Sequence, residues 1–248
     1  MKNRFRPLLI PAGLALAAAG ILLTPAARAS DNANSYYQEA FVALKSGKID
    51  EALERVDALL VKTPAEPRTL ELKGRILIAK NRPAEAMEFL FQAVEKKPDL
   101  YSVHYYLGDA AFKLGHWAEA SQYYQIFLSK VPDGKQGVLK LIYCYLCSRN
   151  LPGAAKWITA LDPVDELHPY YYFARAALAF ATQKPREYQE ALQQARTIYG
   201  NDVYSEFEPD LQYTLKTIKN NSAELEGKAA AEPLPDNARK QETVPAKP

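Results

Sequence analysis

A 34-residue period constrains this chain more than any other feature. Ala52, Ala86, Ala120 and Ala154 are spaced by 34 residues. Glu51, Glu85 and Glu119 precede the first three alanines, and Pro64, Pro98 and Pro132 keep the same step. Gly74 and Gly108 keep it too, with Ala40 in the equivalent place one unit earlier. Several residue types repeating in one register mark stacked supersecondary units. In the second unit, a helix over 68–80 puts Leu70, Gly74 and Leu77 on one face. A second helix over 84–96 turns Ala86, Leu90, Ala93 and Val94 inward at the same helical spacing. The small residues Gly74 and Ala86 let the two helices approach closely. The turn between them falls at Gly47, Asn81 and Gly115, residue types that tolerate a left-handed backbone. Pro64, Pro98 and Pro132 end the second helix, because proline lacks the N–H and disfavours helix in the residue before it. One hairpin cannot bury its own apolar face, so neighbouring hairpins must stack. At 48% hydrophobic residues the chain can fill such a core.

The unit over 101–134 carries the densest pattern: Leu107-Gly108, Gly115, Trp117, Ala120, Tyr124 and Pro132. These residues resemble the tetratricopeptide repeat family. Units 33–66, 67–100 and 101–134 fit it without gaps. A degenerate fourth unit, 135–164, keeps Leu141, Tyr145, Ala154 and Ile158 but loses the closing-proline register. Residues 165–200 look like one more helical pair with irregular spacing. Glu39 and Lys73 stand where a large apolar residue is usual, and His104 replaces an aromatic. The resemblance implies an all-α, right-handed superhelical solenoid. A capping helix is expected over 201–220, with Leu211, Leu215 and Ile218 on one face behind Pro209. Residues 221–248 hold no aromatic and four prolines, so a disordered tail is expected there.

The first 29 residues read as an export signal. Lys2, Arg4 and Arg6 form a basic start, Leu8 to Leu23 is uncharged and apolar, and Ala27-Arg28-Ala29 offers a cleavage site before Ser30. The apolar run is shorter than a membrane span needs, and Pro7, Pro11 and Pro25 interrupt it. The expected mature chain is periplasmic or secreted. The whole chain carries a formal +2, but four bases and no acids lie in this leader. The rest therefore has 27 basic against 29 acidic side chains, which argues against a nucleic-acid footprint.

No catalytic signature stands out. Cys144 and Cys147 form a C-x-x-C, but mid-helix or late in a helix, away from the N-terminus that would lower a thiol pKa. Two buried small side chains is the plainer reading, with a strained local disulfide as the alternative. The histidines at 104, 116 and 168 share no metal-binding spacing. Neither a G-x-S-x-G, a phosphate loop nor an H-E-x-x-H is present. Asn220-Asn221-Ser222 matches the glycosylation pattern, which is short enough to arise by chance. The expectation is a non-enzyme with no metal, cofactor or small-molecule substrate.

The resemblance also implies a concave face lined by the first helix of each unit. Unit one would present Asn34, Tyr37, Phe41, Leu44 and Lys45, and unit two Arg68, Glu71, Arg75, Ile78 and Ala79. Unit three would present Ser102, Tyr105, Asp109, Phe112 and Lys113, and unit four Gln136, Leu139, Tyr143, Leu146 and Cys147. The candidate partner-binding residues are Tyr37, Phe41, Arg68, Arg75, Tyr105, Phe112, Lys113 and Tyr143, an aromatic trough with cationic points suited to carboxylates. The competing reading packs these aromatics between helices. The family's carboxylate clamp needs lysine and asparagine where Tyr37 and Phe41 stand, so that clamp is not expected. The expected function is a non-catalytic adaptor for a peptide or partner protein. The alternative is a structural subunit of a secretion, pilus or outer-membrane assembly, touching the membrane only through that complex. A redox role for Cys144 and Cys147 ranks third.

Overall fold

The computed structural model describes residues 25–161 and 168–231, with side chains described for 34–161 and 168–223. Every regular element among them is helical. In chain order these are α1 (Pro25–Lys45), α2 (Ile49–Lys62), α3 (Pro67–Ala79), α4 (Pro83–Lys96) and α5 (Ser102–Lys113). They continue with α6 (Trp117–Lys130), α7 (Lys135–Cys147), α8 (Leu151–Ile158), α9 (Tyr170–Ala181) and α10 (Pro185–Ala231). α10 breaks at Gly200 (φ 78, ψ 170) into two arms. Helices pair in sequence, and each hairpin packs on the next to form a helical solenoid.

The second helix of each hairpin begins at Ile49, Pro83, Trp117, Leu151 and Pro185, a 34-residue step held four times in succession. The reason is a repeated closure. Gly47, Asn81, Gly115, Arg149 and Gln183 all take positive φ, between 55° and 81°. The amide after each one bonds back across the helix end: Lys48 to Ala43, Arg82 to Leu77, His116 to Ala111, Asn150 to Tyr145 and Lys184 to Ala179. This Schellman geometry satisfies carbonyls that the ending helix leaves open. The fifth hairpin, expected to be irregularly spaced over 165–200, keeps the 34-residue step at its turn and at the start of its second helix, with other residue types there. Arg149 and Gln183 accept a conformation that costs a side-chain-bearing residue about 1–2 kcal/mol.

Close packing explains the paired small residues. A Cβ on Gly74 would come within 2.6 Å of Leu90, and one on Gly108 within 2.6 Å of the Tyr124 ring. Leu90, Tyr124 and the alanines at 52, 86, 120 and 154 are fully buried. The charged departures in the first two units find partners on the neighbouring helix: Glu39 pairs with Arg55, and Lys73 with Asp57. His104 keeps its place with a buried Nδ1 that lacks a partner.

The second arm of α10 folds back over α9 and α7. It buries Tyr204, Leu211, Leu215 and Ile218 in the largest core cluster, as expected of a cap. It also runs through Ala231, past the boundary expected at Asn220, so the backbone over 221–231 is helical. Residues 232–248, the rest of the expected tail, lie outside the described residues. So do residues 1–24 of the expected leader, while 25–29 belong to α1. Among the described residues no helix is long and apolar enough to cross a membrane.

Candidate partner-binding face

The first helices of the hairpins position the candidate residues, and the face they form divides into two unlike halves. In the N-terminal half, Arg75 of α3 stacks on rings from both neighbours. Its guanidinium lies 5.2 Å from the Phe41 ring of α1 and 4.7 Å from the Tyr106 ring of α5. A cation over an aromatic face is held there by the ring's quadrupole. Glu71, one turn earlier, is only 8% exposed. Burial raises its pKa, against a hydrogen bond from Ser102 and the charges of Arg75 and Arg68. Tyr37, Arg68 and Glu66 line a hollow of about 220 Å³ at the outer end. Glu66 also caps α3 by accepting from the Thr69 amide at 2.6 Å. Lys113 closes this half by donating to the Ile78 carbonyl at 3.1 Å.

The C-terminal half is occupied by the chain itself. Lys140 of α7 bridges Asp109 of α5 (3.1 Å) and Asp210 of the second arm (2.8 Å). The Tyr124 hydroxyl donates to Asp109 at 2.6 Å. The Tyr213 ring sits 5.7 Å from that of Phe112, and its hydroxyl donates to the Lys113 carbonyl at 3.4 Å. Further along, the Asn221 amide donates to the Cys147 carbonyl at 2.9 Å. Tyr143 is left 1% exposed and Phe112 5% exposed, with Leu139, Leu146 and Cys147 also buried. The open aromatic trough expected through these residues is corrected: the second arm of α10 covers its C-terminal half. Tyr105 is also drawn inward, stacked edge-on against Tyr106, Tyr124 and Phe127.

Between the halves lies a cavity of about 500 Å³. Arg75, Tyr106 and Lys113 line it on one side, Lys140 and Tyr143 on another, and Asp210 and Tyr213 on the third. Burial disfavours the Lys140 ammonium, yet Asp109 and Asp210 hold its pKa well above the ordinary lysine value. Lys140 in turn holds the Asp210 carboxyl below its ordinary range, against burial. The sequence reading missed Lys140. A signal existed, since the equivalent positions in other units are Gln38, Leu72, Tyr106 and Ala174, none of them charged.

The sequence matches the family model described as tetratricopeptide repeat over residues 37–101 and 105–172. The chain belongs to the tetratricopeptide repeat family. No curated protein matches it in sequence. Among solved structures it is similar to MamA protein, at 16% identity and TM-score 0.53, covering 73% of this chain and 96% of that one. It is likewise similar to YrrB, a TPR protein with an unusual peptide-binding site, at 16% identity and TM-score 0.50, covering 73% and 93%. A tetratricopeptide repeat protein from Parabacteroides merdae ATCC 43184 matches at 16% identity and TM-score 0.53, covering 82% and 81%. At such identity these likenesses speak to the fold alone.

For this tetratricopeptide repeat protein, the eight candidate residues thus fall into three groups. Tyr37, Phe41, Arg68 and Arg75 remain on the accessible half. Tyr105 and Lys113 stand at the cavity between halves. Phe112 and Tyr143 reach that cavity from beneath the chain's own helix. Cys144 and Cys147 are free thiols buried in the core, not a disulfide. Burial pushes both thiols up, Cys147 to about 12, which leaves them protonated and poorly nucleophilic. Among the described residues no three His, Cys, Asp or Glu side chains cluster to hold a metal ion.

Proposed function

We propose that this chain is a non-catalytic adaptor that holds a peptide or partner protein on the N-terminal half of its concave face. Tetratricopeptide repeats are protein–protein interaction modules, and YrrB offers a precedent for peptide binding on such an array. The observation that carries the reading is the Arg75 stack between Phe41 and Tyr106. It fixes a cation and two aromatic rings across three hairpins before any partner arrives, which lowers the ordering cost of binding. The rings hold the guanidinium by its faces, and although the Glu71 charge acts on it from one turn away, its edge N–H groups can take a partner's carboxylate. The leader-like first 29 residues support a periplasmic or secreted setting, as part of the same proposal.

A second reading, a structural subunit of an envelope assembly, rests on Phe91 and Ile126. These large apolar side chains of α4 and α6 stay exposed on the second helices of their hairpins. An affinity pull-down from envelope extract separates the two. Tyr37→Ala with Phe41→Ala is expected to lose the captured partner, and Phe91→Ala with Ile126→Ala to keep it. The opposite pattern would replace the adaptor with the subunit.

A further inference from the structure

The cavity between the halves is closed on one side by the second arm of α10, so the concave face ends in a pocket instead of running through as a groove. Its volume, about 500 Å³, falls within the range of specific ligand pockets. Its walls are aromatic: Tyr105, Tyr106, Phe112, Tyr143 and Tyr213. Its acids are committed, because Asp109 and Asp210 both pair with Lys140 and Asp109 also accepts from Tyr124. Its other cations are not. Lys113 gives one of its three N–H bonds to the Ile78 carbonyl, and Arg75 is held by ring faces that leave its edge free. The lining thus holds three cations, Arg75, Lys113 and Lys140, against two acids, with the Glu71 charge acting on Arg75 from outside it. A further observation points to an occupant. Tyr143 lines this cavity, and its buried hydroxyl has no hydrogen-bond partner among the described residues. An unmet buried hydroxyl is costly, and a ligand oxygen at that place would satisfy it.

We propose that this pocket takes an acidic side chain, carried beside an aromatic or branched apolar residue, from the partner peptide. Arg75 and Lys113 grip the carboxylate, the five rings enclose the apolar neighbour, and the Tyr143 hydroxyl donates to the peptide. The proposal rests on the adaptor reading and adds to it the chemistry of the anchor and the wall that the chain's own C-terminal helix supplies.

The test uses the full chain and a random dodecapeptide library displayed on phage, with selected peptides then synthesised and titrated by fluorescence anisotropy. Selected sequences are expected to share an Asp or Glu next to an aromatic or branched residue. Changing that acid to its amide should weaken binding about tenfold or more, as should Lys113→Met, since one charged hydrogen bond has that weight. Tyr143→Phe is the discriminating variant. It removes a hydroxyl that the free protein does not use, so the melting temperature holds or rises while peptide affinity falls several-fold. A merely structural tyrosine would not split the two readouts in this way. If Tyr37→Ala abolishes binding but Lys113→Met, Tyr143→Phe and the amide peptide bind like wild type, the pocket proposal is overturned and the adaptor reading stands. If selected peptides ignore Tyr37, Phe41 and the pocket alike, or if no peptide is selected, both fall.

Discussion

Replacing Lys140 by Met removes one charge while keeping most of the side chain's apolar stem. Asp109 would then lose its counter-ion at a site where its side chain is 15% exposed, keeping only the Tyr124 hydroxyl bond. Asp210 would lose less, because its side chain is 55% exposed and water screens that arm of the bridge. Orphaning one buried partner costs about 3–5 kcal/mol and breaking an exposed pair at most about 1, so a loss near 3 kcal/mol is expected. For a chain of this size that is a fall in melting temperature of about 6–12 °C. Urea melts across pH give the sign. Asp210 is depressed by Lys140, so its contribution is present above about pH 4, the unfolded value, and is lost as pH falls through the folded one. Lys140 is raised, so its contribution is full below about pH 10 and is lost as pH rises through its folded value. The deficit of the variant should accordingly be level from about pH 5 to pH 9 and shrink toward both ends. Adding Asp109→Asn should restore most of it, since no buried charge is then left alone. A single variant within about 0.5 kcal/mol of wild type, or a deficit that grows in acid, would refute the bridge as described.

Other variants probe the packing and the open half of the face. Gly108→Ala forces a Cβ to 2.6 Å from a ring that Asp109 holds in place, and thermal melts should show a loss of about 1–2 kcal/mol despite alanine's better helix propensity. Glu71→Gln should stabilise the chain at neutral pH. Burial raises the folded pKa of Glu71, so its charged form is penalised above about pH 4.3, and the gap should close as acid protonates the wild type. A Glu71→Gln variant less stable than wild type at neutral pH would contradict this. Arg149→Gly relieves a φ of 60° and should raise the urea midpoint by the equivalent of up to about 1 kcal/mol.

Much of the fold was legible because its constraints are local and repeated. Gly47, Asn81 and Gly115 announce a left-handed turn by residue type, and Gly74 with Ala86 announces a close helix approach. The fifth hairpin was harder to read because Gln183 adopts the same turn without a residue type that signals it, and Tyr188 stands where the earlier units have alanine. The face was only half legible. Tyr37, Phe41 and Arg75 follow from register alone. The covering of Phe112 and Tyr143 does not, because it depends on Asp210, Tyr213 and Asn221 arriving from a helix outside the period. Leu211, Leu215 and Ile218 predicted that this helix would dock, but periodicity carries no information on which helices it would cross.

Site-specific photo-crosslinking tests the central claim most directly. Benzoylphenylalanine placed singly at 37, 41, 91 or 126 reports which face a bound partner touches in intact cells. Positions 37 and 41 lie on the first helix of the array, whereas Phe91 and Ile126 are the exposed apolar residues of α4 and α6. The account predicts one partner adduct from 37 and 41 and none from 91 or 126. Adducts confined to 91 and 126 would contradict it and place the partner on the second helices.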